Sequence, residues 1–173
     1  MSTGAKSKTF QILSEIKKRR SRENAVVAED ELVELVFFGL LDRYYACYGA
    51  DAKEILPVLR INFIPGASTN MLGVVNVRGD IESVLDLNRV LGLPSQPRAS
   101  KNRIIIAENG GLRSGILTGE VYDVSHVQKS SIHPPLLSLS GTIKDYVEGE
   151  TQYNANDVTL LNIGKIFKQE LIS

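Results

Sequence analysis

Residues Met71 to Leu93 read MLGVVNVRGDIESVLDLNRVLGL, and this run restricts the fold more than any other stretch of the chain. Val74, Val75 and Val77 precede the polar link Arg78-Gly79-Asp80, and Ile81, Val84 and Leu85 follow it. Branched and aliphatic residues on both sides of a glycine free to take positive φ spell a β-hairpin. Asp86 then caps a short helix in which Leu87, Val90 and Leu91 stand three and four residues apart, and Gly92 with Pro94 ends it.

The pattern returns near the C-terminus. Asp80 to Leu91 is echoed by Asp157 to Phe167 with one residue deleted, the two aspartates lying 157 − 80 = 77 apart. The leading hairpins, from Val36 and Ile104, lie 104 − 36 = 68 apart, so the second half has the longer middle, placed at Ser130 to Thr142. In the first half, Leu32 to Leu41 is nearly all apolar, Asp42-Arg43 punctuates it and Tyr44 to Tyr48 resumes, as in a hairpin with one buried strand. Asp51 to Leu56 reads as a short helix carrying Glu54 outward and stopped by Pro57, with Ile61 to Ile64 extended after it. In the second half, Arg103 to Ala107 and Leu112 to Leu117 flank Glu108-Asn109-Gly110-Gly111, whose Asn-Gly predicts a primed hairpin turn. Residues 93–102, with prolines and no apolar run, connect the halves. Two five-stranded units, each too small to bury both sheet faces alone, are expected to pack around a shared apolar seam. Ahead of them, Phe10, Leu13 and Ile16 predict an amphipathic N-terminal helix with a solvated Lys17-Lys18-Arg19-Arg20 end.

Composition excludes more than it identifies. With 173 residues, 43% of them hydrophobic, the chain can bury a substantial core, and 20 basic against 20 acidic side chains give no overall field. Residues 1–30 hold seven Lys or Arg and four Asp or Glu, leaving 20 − 7 = 13 basic against 20 − 4 = 16 acidic beyond them. A mildly acidic body lacks the basic stripe with interleaved aromatics that nucleic-acid binding needs. The lone Cys47, the lack of a leader-like apolar run and the lack of a spanning segment predict a cytoplasmic protein with no direct membrane insertion. No catalytic constellation, metal-ligand spacing or cofactor cradle emerges: His126 and His133 read as surface or loop residues, and Gly110 to Gly115 lacks the Lys and Ser or Thr of a P-loop.

The run Gly73, Val74, Asn76, Arg78, Gly79, Ile81, Val84, Asp86, Leu87 resembles, in register, the G-V-x-N-L-R-G-x-I-x-P-V-x-D-L pattern of the bacterial chemotaxis coupling family CheW. Glu54-Ile55-Leu56 and Gly115-Ile116-Leu117 match its E-I-L and G-L-L, so the resemblance runs from about Glu31 to Phe167. It departs at Ser83, where the family usually has Pro, and at Gly119, where it usually has Asp. The resemblance implies a mainly β fold of two SH3-like five-stranded barrels with short helices and exchanged or packed strands. It places an N-terminal extension over 1–30 and a CheW-like domain over 31–173, with lobes at about 31–95 and 103–160 and a C-terminal segment closing the structure. It further implies a non-catalytic adaptor joining the cytoplasmic tips of chemoreceptors to the regulatory domain of a CheA-type histidine kinase, at membrane receptor arrays. A small-barrel module for nucleic acid or another protein is the alternative. On the same basis Arg78 is a receptor-contact candidate, Glu54 is either the family's acidic contact residue or a helix-face charge, Asn76 belongs to the same turn, and Val121 with Val124 borders a receptor-binding groove.

Overall fold

The computed structural model describes residues 14–18, 30–136 and 139–172. The chain divides into two compact units, Met1–Glu31 and Leu32–Ser173. In the first, residues 14–18 are helical and exposed; the remainder of the expected Phe10 to Arg20 helix lies outside the described residues.

The second unit is built from ten strands. β1 (Leu32–Leu40) and β2 (Arg43–Tyr48) form a hairpin, β3 (Ala52–Pro57) follows, and β4 (Met71–Val77) pairs with β5 (Asp80–Asp86), which runs into α1 (Leu87–Val90). β6 (Arg103–Asn109) and β7 (Leu112–Thr118) repeat the opening hairpin, β8 (Val121–Gln128) repeats β3, and α2 (Ile143–Tyr146) leads into β9 (Val147–Tyr153). β10 (Asn156–Leu161) and α3 (Ile163–Phe167) complete the second copy, and a π-helical turn, Lys168–Ile172, ends the described chain. One sheet has the order β8-β1-β2-β10-β9 and the other β3-β6-β7-β5-β4.

Each sheet closes into a barrel through the chain beyond its edge strand. Asn62, past β3, exchanges both backbone hydrogen bonds with Val74 of β4, at 2.8 and 2.9 Å. His133, past β8, does the same with Glu150 of β9, at 2.8 Å each way. A glycine stands beside each closure: a Cβ at Gly73 would meet the Asn62 carbonyl, and one at Gly149 would meet that of His133.

The barrels do not coincide with the sequence halves expected at 31–95 and 103–160. Barrel A joins β1 and β2 to β8, β9 and β10, whereas barrel B joins β3, β4 and β5 to β6 and β7. The exchange is sealed by the parallel pairings β2–β10 and β5–β7, which no hairpin can supply.

Three apolar clusters follow from this arrangement. Leu35, Phe37, Ala46, Val158 and Leu160 fill barrel A, and Val75, Val77, Val84, Ile104 and Ile106 fill barrel B. The alternate residues of the same strands, Val36, Phe38 and Cys47 from one sheet with Leu85, Ile105 and Ile116 from the other, meet in the seam between barrels. Leu87 and Val90 of α1 and Ile163, Ile166 and Phe167 of α3 plug that seam. Strands buried on both faces read as unbroken apolar runs, which is why Leu35 to Leu40 and Ile104 to Ala107 show no polar alternation.

The repeat is more regular than the sequence indicates. Gly73↔Val84 and Gly149↔Leu160 are equivalent pairs, as are Val77↔Asp80 and Tyr153↔Asn156, all offset by 76, so no residue is deleted and Asn156, not Asp157, matches Asp80. Leu40↔Arg43 and Asn109↔Leu112 are offset by 69. The surplus of 76 − 69 = 7 residues lies between β8 and β9, the interval that contains the expected Ser130 to Thr142 insertion.

Two local expectations change. Asp51 to Leu56 is not helical: Ala52 to Pro57 pairs with β6. Ile55 packs on the seam and Leu56 on the barrel B interior, and only a strand sends adjacent side chains to opposite faces. The β6–β7 turn is primed as expected, but Gly110 and Gly111, at φ of 58° and 78°, form its centre rather than Asn109 and Gly110. Asn109 instead stays in β6 and donates its side-chain amide to Asp51 at 2.8 Å.

Candidate protein-binding surface

The β4–β5 turn consists of Arg78 at φ 52° and Gly79 at φ 95°, both in the left-handed region that a two-residue primed turn demands. Glycine takes that conformation freely, whereas Arg78 is held in it. Part of the hold comes from Asn76, whose Oδ1 accepts the Gly79 N–H at 2.8 Å. The rest comes from Glu54. Nη1 of Arg78 donates to Glu54 Oε2 at 2.9 Å while Nη2 pairs with the other carboxylate oxygen, a two-pronged fork. Hydrogen bonding to Glu54, then its charge, raises the Arg78 pKa further above its ordinary value.

The fork places two residues from opposite edges of the sheet, β3 and the β4–β5 turn, side by side across the barrel B closure. Glu54 is mostly covered, at 21% side-chain exposure, whereas Arg78 stays 74% exposed. The carboxylate thus fixes the guanidinium without using all its donors, leaving a rigid, outward-facing cation able to bind a carbonyl or carboxylate.

Val121 and Val124 lie on the other sheet, in β8. Val121 is half-buried against the seam, and Val124 remains 45% exposed. β8 is the counterpart of β3 at the same offset of 69: Val36↔Val124 corresponds to Ile105↔Ile55, and Phe37↔Asp123 to Ile106↔Glu54. The candidates on β3 and β8 therefore lie on matching strands of the two barrels but at different positions along them. Their chemistry does not match. Asp123 replaces Glu54, its carboxylate accepts the N–H of Val124 at 2.8 Å, and Asn154 stands where Arg78 does, so the charged fork exists in barrel B alone.

The two departures from the CheW pattern have local causes. The Ser83 hydroxyl lies 2.8 Å from that of the buried Ser114 and holds β5 to β7 where Pro would offer no polar group. Gly119 donates its N–H to the Gly39 carbonyl at 2.9 Å, and a Cβ there would collide with that oxygen.

Sequence reasoning missed the exposed apolar residues that follow each closure. Phe63, directly after Asn62, is 75% exposed, and Leu136, three residues after His133, is 61% exposed. The signal was a large apolar residue beside Pro65-Gly66 and after Pro134-Pro135, in segments too short to bury it. Burial, reinforced by Asp51, pushes the Cys47 thiol up to about 12. Arg113 pairs with Glu82 at 2.7 Å and Glu108 at 3.5 Å. Among the described residues no His, Cys, Asp and Glu side chains converge as a metal ion would require, and no helix is long and apolar enough to cross a membrane.

Comparison with known proteins agrees with this architecture. The CheW-like domain model matches residues 34–171. Protein PilI of Pseudomonas aeruginosa is 26% identical over 81% of this chain and 81% of its own length. Chemotaxis protein CheW of Bacillus subtilis is 28% identical over 75% of this chain and 81% of its own. The crystal structure of scaffolding protein TtCheW from Thermoanaerobacter tengcongensis superposes with a TM-score of 0.72 at 25% identity, covering 80% of this chain and 94% of that one. A family model spanning most of the chain, a double barrel with the same solved precedent and the Asn76-to-Leu87 hairpin together show that the chain belongs to the CheW-like domain family of chemotaxis coupling adaptors.

Proposed function

We propose that this adaptor works without catalysis, joining the cytoplasmic tips of chemoreceptors to the regulatory domain of a CheA-type histidine kinase at membrane receptor arrays. The observation that carries this reading is the Arg78–Glu54 fork, an exposed cation pre-positioned on a rigid turn. A receptor's helical hairpin offers carboxylates and terminal carbonyls to such a group, and its apolar side fits the half-exposed valines of β8, Val121 and Val124. The kinase side falls to the barrel ends, where Phe63 and Leu136 leave apolar area for a barrel of the same kind. Burial there returns roughly 25 cal/mol per Å² before association costs. Asn76 serves this surface indirectly by setting the turn. A nucleic-acid role is disfavoured by pairing: Arg78, Lys101 and Arg113 each face a carboxylate.

The test is titration of wild type and Arg78→Ala with a receptor-tip fragment and, separately, with the kinase regulatory domain. Receptor affinity should fall about thirtyfold, as for an interface-centre arginine. Kinase affinity and melting temperature should change little. Equal receptor binding by the variant would reduce Arg78 to a turn residue, and failure of the wild type to bind either partner would overturn the adaptor reading.

A further inference from the structure

The last described turn carries a carboxylate with two unusual partners. Glu170 Oε2 accepts the side-chain N–H of Asn70 at 3.0 Å, and Glu170 Oε1 lies 3.5 Å from the Tyr146 hydroxyl. Asn70 and Tyr146 are themselves repeat equivalents, offset by 146 − 70 = 76. Asn70 precedes β4 and its carbonyl accepts the N–H of Asp86, the cap of α1; Tyr146 precedes β9 and its carbonyl accepts the N–H of Asn162, the cap of α3. Each of the two bonds is 2.8 Å. The same post thus anchors the start of the seam helix in each barrel, and one side chain grips both posts.

We propose that Glu170 is an inter-barrel clamp: the turn Lys168–Ile172 locks the two posts at Asn70 and Tyr146 together and so sets how the barrels seat on each other. The repeat itself cannot supply this contact, because a single carboxylate lies across the pseudo-twofold relation with no copy of itself. Leu171 packs against the seam, which seats the turn, while the neighbouring Ile172 stays 67% exposed. Burial, then Glu170, raises the Tyr146 pKa, so its hydroxyl remains a donor at neutral pH. The Asn70 post is further tied to α1 through Arg89, whose Nη1 donates to the Thr69 carbonyl at 2.9 Å. Releasing the clamp therefore loosens the segments leading into β4 and β9, the ones that carry Phe63 and Leu136.

A double-mutant cycle tests it. Asn70→Ala and Tyr146→Phe, each removing one grip, are combined in the wild-type background and again with Glu170→Ala, and the unfolding equilibrium constant is measured in urea. The expected result is a departure from additivity of about threefold or more with Glu170 present and none without it. Amide exchange supplies the second measurement: Glu170→Ala should speed exchange at both Asp86 and Asn162 while leaving the interior amides of β6 unchanged. Additive effects in the wild type, coupling that survives Glu170→Ala, or faster exchange at one cap only would each overturn the clamp.

Discussion

Cys47 shows how far one position is committed to packing. Its thiol is buried in the seam and its pKa is pushed up from 9.0 to about 12 by desolvation, then by Asp51. A group whose folded pKa is raised contributes stability that is fully present below the unfolded value and is lost as pH climbs towards the folded one. Wild type should therefore lose stability between pH 9 and about 12 more steeply than Cys47→Ala, as urea midpoints measured across that range will show. Thiol reagents at pH 8 should label Cys47 only after unfolding. Backbone strain can be tested in the same way. Asn154 and Ala155 form the β9–β10 turn at φ of 48° and 63°, and Ala155, unlike its counterpart Gly79, has a Cβ that resists this conformation. Ala155→Gly should stabilise the protein by about 1 kcal/mol, read from the urea midpoint at unchanged slope.

Elements whose signals are local were legible in the sequence. The β4–β5 hairpin turns at Arg78-Gly79 and α1 starts at Asp86, whose carboxylate accepts the N–H groups of Asn88 and Arg89, as the spacing predicts. The second copy obeys the same grammar, with Asn162 accepting the N–H of Lys165. β3 departs from its local pattern for a physical reason. Ala52, Lys53, Glu54 and Leu56 are good helix formers, and what overrides them is the β6 ladder some fifty residues away, which no local pattern carries. The Arg78–Glu54 fork was hidden likewise: resemblance flagged both residues separately, but their meeting depends on a barrel closure invisible to spacing. Gly119 offers a test at this scale. Because β7 and β1 approach backbone to backbone at Gly39, Gly119→Ala should cost about 2 kcal/mol in thermal or urea unfolding. Gly119→Asp, which restores the usual CheW residue, should cost at least as much.

At the scale of the whole molecule, the shared seam makes the barrels interdependent. Neither half of the sequence contains a barrel, so residues 32–102 and 103–173 expressed separately should show no cooperative transition, whereas residues 32–173 should unfold in one step by circular dichroism and fluorescence alike. Mixing the two fragments should restore native-like amide dispersion. The strand exchange also dictates an order of manufacture. Barrel B is complete once Thr118 has been made, but the strands that enclose β1 and β2 begin only at Val121, 121 − 48 = 73 residues after Tyr48. At about 5–20 residues per second, synthesis leaves that first hairpin waiting several seconds with Phe37, Phe38 and Tyr45 uncovered. The ribosome thus delivers a finished barrel carrying the opened half of another, and the oldest strands of the nascent chain are the last to be sheltered from chaperones and from each other.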